Sequence, residues 1–502
     1  MAEDIVFVSP EAAPFAKTGG LADVAGALPV ALKALGCNVT LIHPLYREVR
    51  ASGARLEKAD FEVSAPVGER LIKGGVFRGD LEAVDVFFIE CDEFFDRTYL
   101  YGTEDRDYFD NLERFSFFSR AALEVIKTGR IKADVIHSND WQTGLVSAYL
   151  KDIYAKDPHF ANTASVFTIH NMAYQGIFPA GQYNITGLSP ALFSPEGLEF
   201  WGRVNFLKAG ITFSDAITTV STTYAKEIQT PENGNGLEGV LLGKKDRLYG
   251  ILNGADYKLW NPEKDALIPA NFSVNDLDGK SSCKRSLLKK FGLKSKKAVP
   301  VLGIVARLTE QKGFDILLEA MTELMDNDIR LVILGAGEAR YKRLIEEEAK
   351  KYPDKLSFRF GFDVKLSHLV MAGSDIFLMP SKFEPCGLNQ IYCMKYGTIP
   401  IVRRTGGLND TVRDVSTGQG ATGFKFAGYS KDALLEKFRE AVSIFRDKEA
   451  WDALIRNAMK GAFSWQEAAK KYIEVYGKAS KPLSYGTSTN ASAPPARPAK
   501  SP

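Results

Sequence analysis

The chain has 502 residues, 45% hydrophobic and 25% charged, an ordinary globular composition with length for about two to four domains. Its 64 Lys and Arg against 62 Asp and Glu leave a net charge of +2, which gives no electrostatic reason to expect a nucleic-acid or membrane partner. Five cysteines (Cys37, Cys91, Cys283, Cys386, Cys393) without a C-x-x-C pair, and five histidines never at H-x-x-H or H-E-x-x-H spacing, argue against a disulfide framework and a metal centre.

The N-terminus passes from Met1-Ala2-Glu3-Asp4 straight into an apolar run at 5–8, with no basic leader and no small-residue cleavage pattern, so a cytoplasmic chain with reduced thiols is expected. The run reads as a strand. It leads to Lys17, the glycine pair Gly19-Gly20, and a helical spacing of Leu21, Val24, Ala25 and Leu28. Glycines at such a turn let a ligand approach the backbone, although the stretch matches neither G-x-G-x-x-G nor the Walker pattern. Lys17 reads equally as a solvated lysine.

Strands are predicted at 39–43, 83–91, 133–137, 164–170, 216–221 and 248–254, with a helix at 111–128 and another at 144–151. Loops after two of these strands carry Asp140 with Trp141, and His170. Asp140 reads as a hydroxyl acceptor or as a helix cap, and His170 as a ligand contact or a structural histidine. Residues 256–281 are polar, rich in Pro, Asn and Asp, and read as a connection. A second series of strands follows at 299–306, 330–335, 356–360, 375–380 and 398–402, each succeeded by a helical pattern. Buried-type strands alternating with helices predict parallel sheets covered on both faces: an α/β protein of two doubly wound halves. A final amphipathic helix spans 463–476 with Ser464 as N-cap, and a Ser/Pro/Ala/Lys-rich tail follows, expected to be disordered.

Chemistry-bearing residues gather at predicted strand carboxyl ends, where open α/β sheets bind ligands. Arg307 and Lys312 lie five apart across a turn, two cations suited to a diphosphate. Glu384-Pro385-Cys386-Gly387 turns from a strand into a helix over 388–396 whose unpaired N–H groups suit an anion. Gly335-Ala336-Gly337 reads as a turn or a ligand contact. A second glycine pair, Gly406-Gly407, opens a helical stretch in the manner of Gly19-Gly20. Cys386 has no histidine near it in sequence and reads as a lining residue rather than a nucleophile. The two halves facing each other make a cleft for a phosphorylated ligand and a second substrate.

Together these stretches resemble the family of bacterial glycogen synthases and plant starch synthases. The resemblance rests on Lys17-Thr-Gly-Gly-Leu21, Asn139-Asp-Trp141, Thr168-Ile-His-Asn171, Leu252-Asn-Gly254, Ala306-Arg-Leu-Thr309 with Gln311-Lys-Gly313, Glu384-Pro-Cys-Gly-Leu388 and residues 403–408. It implies a GT-B fold: a first domain over 1–256, a nucleotide-sugar domain over 257–463, a helix at 464–478 crossing back onto the first, and a tail at 479–502. It implies transfer of glucose from ADP-glucose to the non-reducing 4-OH of an α-1,4-glucan with retention of configuration, with neither cofactor nor metal. By the same resemblance Arg307 and Lys312 neutralise the diphosphate. Gly20, Gly387 and Leu388 bind phosphate or sugar oxygens, and Glu384 and Asn253 hold glucose hydroxyls. His170 bonds the 6-OH, Asp140 lies near the acceptor or anomeric side, Lys17 lies near the acceptor and the diphosphate, Tyr101 lines the acceptor side, and Asp23 binds substrate. Phe362 stacks near the adenine, and Cys386 and Asn389 complete the lining. Gln142 and Asn389 depart from the family's usual His and Thr, and Tyr392 stands where related transferases carry a second Glu. A UDP-glucose transferase and a phosphorylase are the competing readings.

Overall fold

The computed structural model describes residues 3–103, 106–296 and 298–481. Its first sheet has nine strands, in the spatial order Leu248–Gly250, Ala216–Thr219, Ala164–Ile169, Val135–Asn139, Asp4–Val8, Asn38–Pro44, Val84–Glu90, Arg70–Leu81 and Glu57–Val67. The strands from Leu248–Gly250 to Val84–Glu90 pair in parallel. The central ones, Val135–Asn139 and Ala164–Ile169, are buried at every position, because helices cover both faces. The second sheet is parallel throughout, in the order Leu356–Phe360, Arg330–Gly335, Val301–Val305, Ile376–Met379, Ile399–Arg403 and Phe424–Phe426. Two doubly wound α/β halves, as the sequence predicts, are the result.

One part of the first sheet departs from the all-parallel expectation. Glu57–Val67 and Arg70–Leu81 form an antiparallel hairpin that extends the sheet beyond Val84–Glu90. Burial alternates near its turn, with Val63, Ala65 and Val67 inward and Glu62, Ser64 and Pro66 outward. A half-solvated strand has no continuous apolar run, so it carries no buried-type strand signal. A small antiparallel sheet of Ile177–Pro179, Arg203–Asn205 and Glu199–Phe200 projects from the loop after Ala164–Ile169.

Residues 256–281 are not a bare connection. The helix Asp278–Lys290 starts inside them, and Trp260 is stacked between His368 (centroids 3.7 Å apart) and Tyr392 (4.5 Å). The buried Asp265 accepts a 2.5 Å hydrogen bond from the Tyr396 hydroxyl and meets His368 Nδ1 at 2.7 Å. The helix Trp465–Ala479 begins at Ser464, whose hydroxyl accepts from the Glu467 N–H at 3.3 Å. It packs on the helix Gly20–Ala34 and the first sheet, and Tyr476 OH meets His137 Nδ1 at 2.8 Å. The two crossings between halves lie side by side, joined by Ala255 N–H to Phe463 O at 2.8 Å. Beyond residue 481 the expected tail lies outside the described residues. Among the described residues no helix is long and apolar enough to cross a membrane.

The halves also meet through two short helices that cap each other. Glu227, at the end of Thr222–Glu227, accepts the Gly406 N–H at 3.0 Å; Asp410, in Gly406–Thr411, accepts the Thr223 N–H at 2.9 Å. Each carboxylate satisfies a first-turn N–H that has no partner within its own helix.

Candidate active site

The carboxyl ends of the two sheets face each other across a cavity of about 570 Å³. From the first half come Glu11, the loop Lys17–Gly20, Asp23, Tyr101, Asp140, Trp141, His170 and Asn253; from the second, Arg307, Lys312, Ser381, Glu384 and Cys386 through Asn389.

The first wall is organised by Glu11, which the sequence reading passed over. Its buried carboxylate accepts the N–H groups of Thr18 (2.7 Å) and Gly19 (3.1 Å), the Thr18 hydroxyl (2.6 Å) and the Tyr101 hydroxyl (2.9 Å). The loop is thereby held open-faced: a Cβ on Gly19 or Gly20 would meet nothing within 4 Å. The helix Gly20–Ala34 starts here with no side-chain cap, so its first N–H groups point at the cavity unpartnered by the cap residue. Lys17, half exposed at the rim, pairs with Asp23 at 2.6 Å.

Asp140 follows the strand Val135–Asn139 with φ at +55°, a left-handed backbone rare for a non-glycine residue. Its Oδ1 accepts the His170 N–H at 2.7 Å, and its side chain caps no helix, which settles the cap reading against it. Burial, reinforced by the nearby Glu11, pushes its carboxyl up to about 8, despite the backbone N–H bonds from His170 and Asn171 that pull the other way. At neutral pH Asp140 is mostly protonated.

The tautomer of His170 follows from its neighbour. The Asn139 amide donates to Val8 O at 3.1 Å, which makes its Oδ1 an acceptor, and that oxygen stands 3.0 Å from His170 Nε2. Nε2 therefore carries the hydrogen. Desolvation holds the imidazole down to about 3, so the ring is neutral and Nδ1 remains an acceptor. Asn253 adds a buried Oδ1 without a hydrogen-bond partner, an acceptor waiting for a donor.

On the second wall, Arg307 lies two residues past the strand Val301–Val305 and pairs with no carboxylate among the described residues. Lys312 Nζ lies 2.6 Å from Glu384 Oε2, which also accepts the Ser381 hydroxyl at 3.1 Å. The approach depends on Gly313 (φ +75°), where a Cβ would stand 2.0 Å from Pro380 O. Gly387 turns at φ +70°, and Asn389 ties its side chain to Val305 O at 2.8 Å, bracing the turn against the neighbouring strand. Burial pushes the Cys386 thiol up to about 12, the state of a packing residue rather than a nucleophile.

One sequence expectation changes, and one open reading is resolved. Gly406-Gly407 is no counterpart of Gly19-Gly20: a Cβ on either would lie 1.9 Å from Glu384 O or 2.0 Å from Cys386 O. This second pair is a backbone seat for the 384–386 turn, and Arg403, through Ser381 O at 2.9 Å, braces the residues before it. Gly337 packs in a backbone bridge with Leu308, so Gly335-Ala336-Gly337 is a turn and not a lining loop. Phe362, which the resemblance places near the adenine, is 81% exposed and is not among the residues that line this cavity. Among the described residues no three His, Cys, Asp or Glu side chains converge on a metal-sized site.

Comparison with known proteins follows the same division. The family model for the starch synthase catalytic domain matches residues 4–243, and that for glycosyl transferases group 1 matches residues 287–460. The chain is 46% identical over 477 residues to a glycogen synthase of Syntrophotalea carbinolica, covering 95% of this chain and 99% of that one. It is also 46% identical to a glycogen synthase of Koribacter versatilis, covering 95% and 98%. Among solved structures it resembles the catalytic domain of starch synthase IV from Arabidopsis thaliana, bound to ADP and acarbose, with TM-score 0.88, 35% identity and coverage of 96% and 100%.

Proposed function

The chain belongs to the glycogen and starch synthase family of GT-B glycosyltransferases, and from that premise we propose a role for each group in its cavity. The enzyme is a retaining hexosyltransferase that moves glucose from ADP-glucose to the non-reducing 4-OH of an α-1,4-glucan. The observation that carries the site assignment is the opposition of two cations, Arg307 and Lys312, to the uncapped helix start at Gly19-Gly20 across one cavity.

Breaking the glycosyl–phosphate bond leaves an electron pair on a phosphate oxygen and positive charge on the sugar carbon. Arg307, together with Lys312, which Glu384 holds in place before substrate arrives, stabilises the departing diphosphate. The N–H groups at Gly20, Gly387 and Leu388 take phosphate or sugar oxygens. The Glu384 carboxylate and Asn253 Oδ1 accept glucose hydroxyls, and His170 Nδ1 accepts the 6-OH proton donor. Lys17, Asp23 and Tyr101 border the acceptor.

Retention by double displacement needs a free carboxylate nucleophile. The Asp140 carboxyl, raised by burial, holds the His170 N–H; Glu384 is engaged by Lys312 and Ser381. These engagements support a front-face reaction: the acceptor O4 bonds to the sugar carbon on the side the diphosphate leaves, and its proton passes to the departing phosphate oxygen. ADP release from ADP-glucose, with and without glycogen, tests the assignment. In Lys312→Ala the glycogen-dependent rate should fall about 10²–10³-fold. An unchanged rate overturns the donor-side assignment, and a glucosyl adduct trapped on Asp140 or Glu384 overturns the front-face reaction. Equal use of UDP-glucose would favour the competing donor.

A further inference from the structure

Trp201 stands at the tip of the small antiparallel sheet, 83% exposed. It is the first of two residues, Trp201-Gly202, that join Glu199–Phe200 to Arg203–Asn205, and both have positive φ, +52° and +72°. A two-residue hairpin turn of that pattern favours Asn, Asp or Gly at its first position. A tryptophan there bears a backbone penalty, and although its ring meets Phe200 edge-on at 6.3 Å, most of the indole stays in water. The turn is nonetheless firmly built. Glu199 Oε1 accepts the Gly202 N–H at 2.6 Å, and Trp201 Nε1 lies 3.6 Å from the point a Cβ on Gly236 would occupy.

The tip belongs to a sheet whose first strand starts beside the cavity. The same sheet begins at Ile177–Pro179, directly after Tyr174, which lines the cavity and is 52% exposed. Gln175 locks that junction: it accepts from Asn205 Nδ2 at 2.6 Å and donates to Asn235 O at 3.0 Å, next to the Gly236 that seats Trp201. From the level of Asn205 to Trp201 is four residues of strand, roughly 13 Å, the span of a few sugar rings.

We propose that Trp201, with Tyr174 at the cavity mouth, forms an aromatic track on which the outer part of a long α-glucan acceptor lies while its non-reducing end reacts. The inference rests on the glucan-acceptor reading above. The C–H faces of pyranose rings are apolar and flat, and an exposed indole held rigid offers a matching surface at little entropic cost. An uncharged sugar chain also suits a track built from an indole and a phenol.

The test uses the full chain with Trp201→Asn, which tolerates the left-handed backbone, and Trp201→Tyr, which keeps an aromatic face. Retardation in native gels cast with glycogen reads binding without any transfer. Trp201→Asn should weaken apparent glycogen affinity about tenfold and raise KM for glycogen alike, while KM for maltotriose and for ADP-glucose stays within about twofold; Trp201→Tyr should recover most of the loss. Unchanged retardation and KM with glycogen overturn the track. An equal loss with maltotriose also overturns it, because the track is proposed for the outer part of a long acceptor. If the wild type transfers glucose to neither acceptor, the acceptor reading fails, and gel retardation still decides whether Trp201 binds glucan.

Discussion

Lys312 Nζ stands 2.6 Å from Glu384 Oε2, joining two groups that the resemblance places on opposite ends of the donor, the diphosphate and the sugar. Both are largely shielded from water, so the pair acts as one preformed unit at the bond to be broken. Substrate entry divides it: the phosphate takes a share of the ammonium and a sugar hydroxyl takes a share of the carboxylate.

Separating the pair by mutation should therefore have two distinct effects. Lys312→Ala leaves a buried carboxylate without its cation and should destabilise the fold by about 1–3 kcal/mol in urea titrations, besides its loss of activity. Adding Glu384→Gln in the same chain should return most of the stability and none of the activity. Stability that fails to return would show that the lysine's packing, not its charge, was what the fold lost.

The two glycine pairs should separate just as sharply. Gly407→Ala drives a Cβ to 2.0 Å from Cys386 O and should lower Tm by several degrees while disturbing the 384–386 turn. Gly20→Ala enters open space and should leave Tm unchanged, with KM for ADP-glucose rising. Thermal melts alone distinguish them, and a stable Gly407→Ala variant would refute the seat role given to the second pair.

Glu11 makes its own prediction. Glu11→Gln turns an amide NH₂ toward donors that already fill the site, so the 17–20 loop should loosen and kcat/KM should fall about tenfold or more. Tyr101→Phe removes only one of the four bonds to Glu11 and should lose much less. Comparable losses would mean that Tyr101, not the loop, carries the effect.

Asp140 predicts a pH dependence. Its folded pKa, about 8, lies above its ordinary 3.8, so between these values the native state holds a proton that the unfolded chain releases. The Asp140 contribution to stability is therefore full below that window and falls as pH rises across it. Asp140→Asn has no proton to hold; its Tm should increasingly exceed the wild type's from about pH 5 to 8 and converge with it near pH 4. Parallel curves would show that the carboxyl titrates normally.

Much of this protein was legible in its sequence because the signals are local. Continuous apolar runs announce buried parallel strands, Asn111–Thr128 and the Ser464 cap appear where periodicity and capping chemistry place them, and strand carboxyl ends mark where ligands bind. The hairpin Glu57–Val67 with Arg70–Leu81 escaped because one face is wet and its pattern weak.

By itself, the sequence determined two doubly wound halves, the cleft between them and the residue types that line it. Tertiary structure alone decided which groups engage one another: Glu11 with Tyr101, 90 positions apart, Lys312 with Glu384, and Gly406-Gly407 as a seat rather than a cradle. The physical reason is range. Helix and strand periods are written within a turn or two of chain, whereas a carboxylate's partner, its burial and the room beside a glycine depend on segments brought together only by folding.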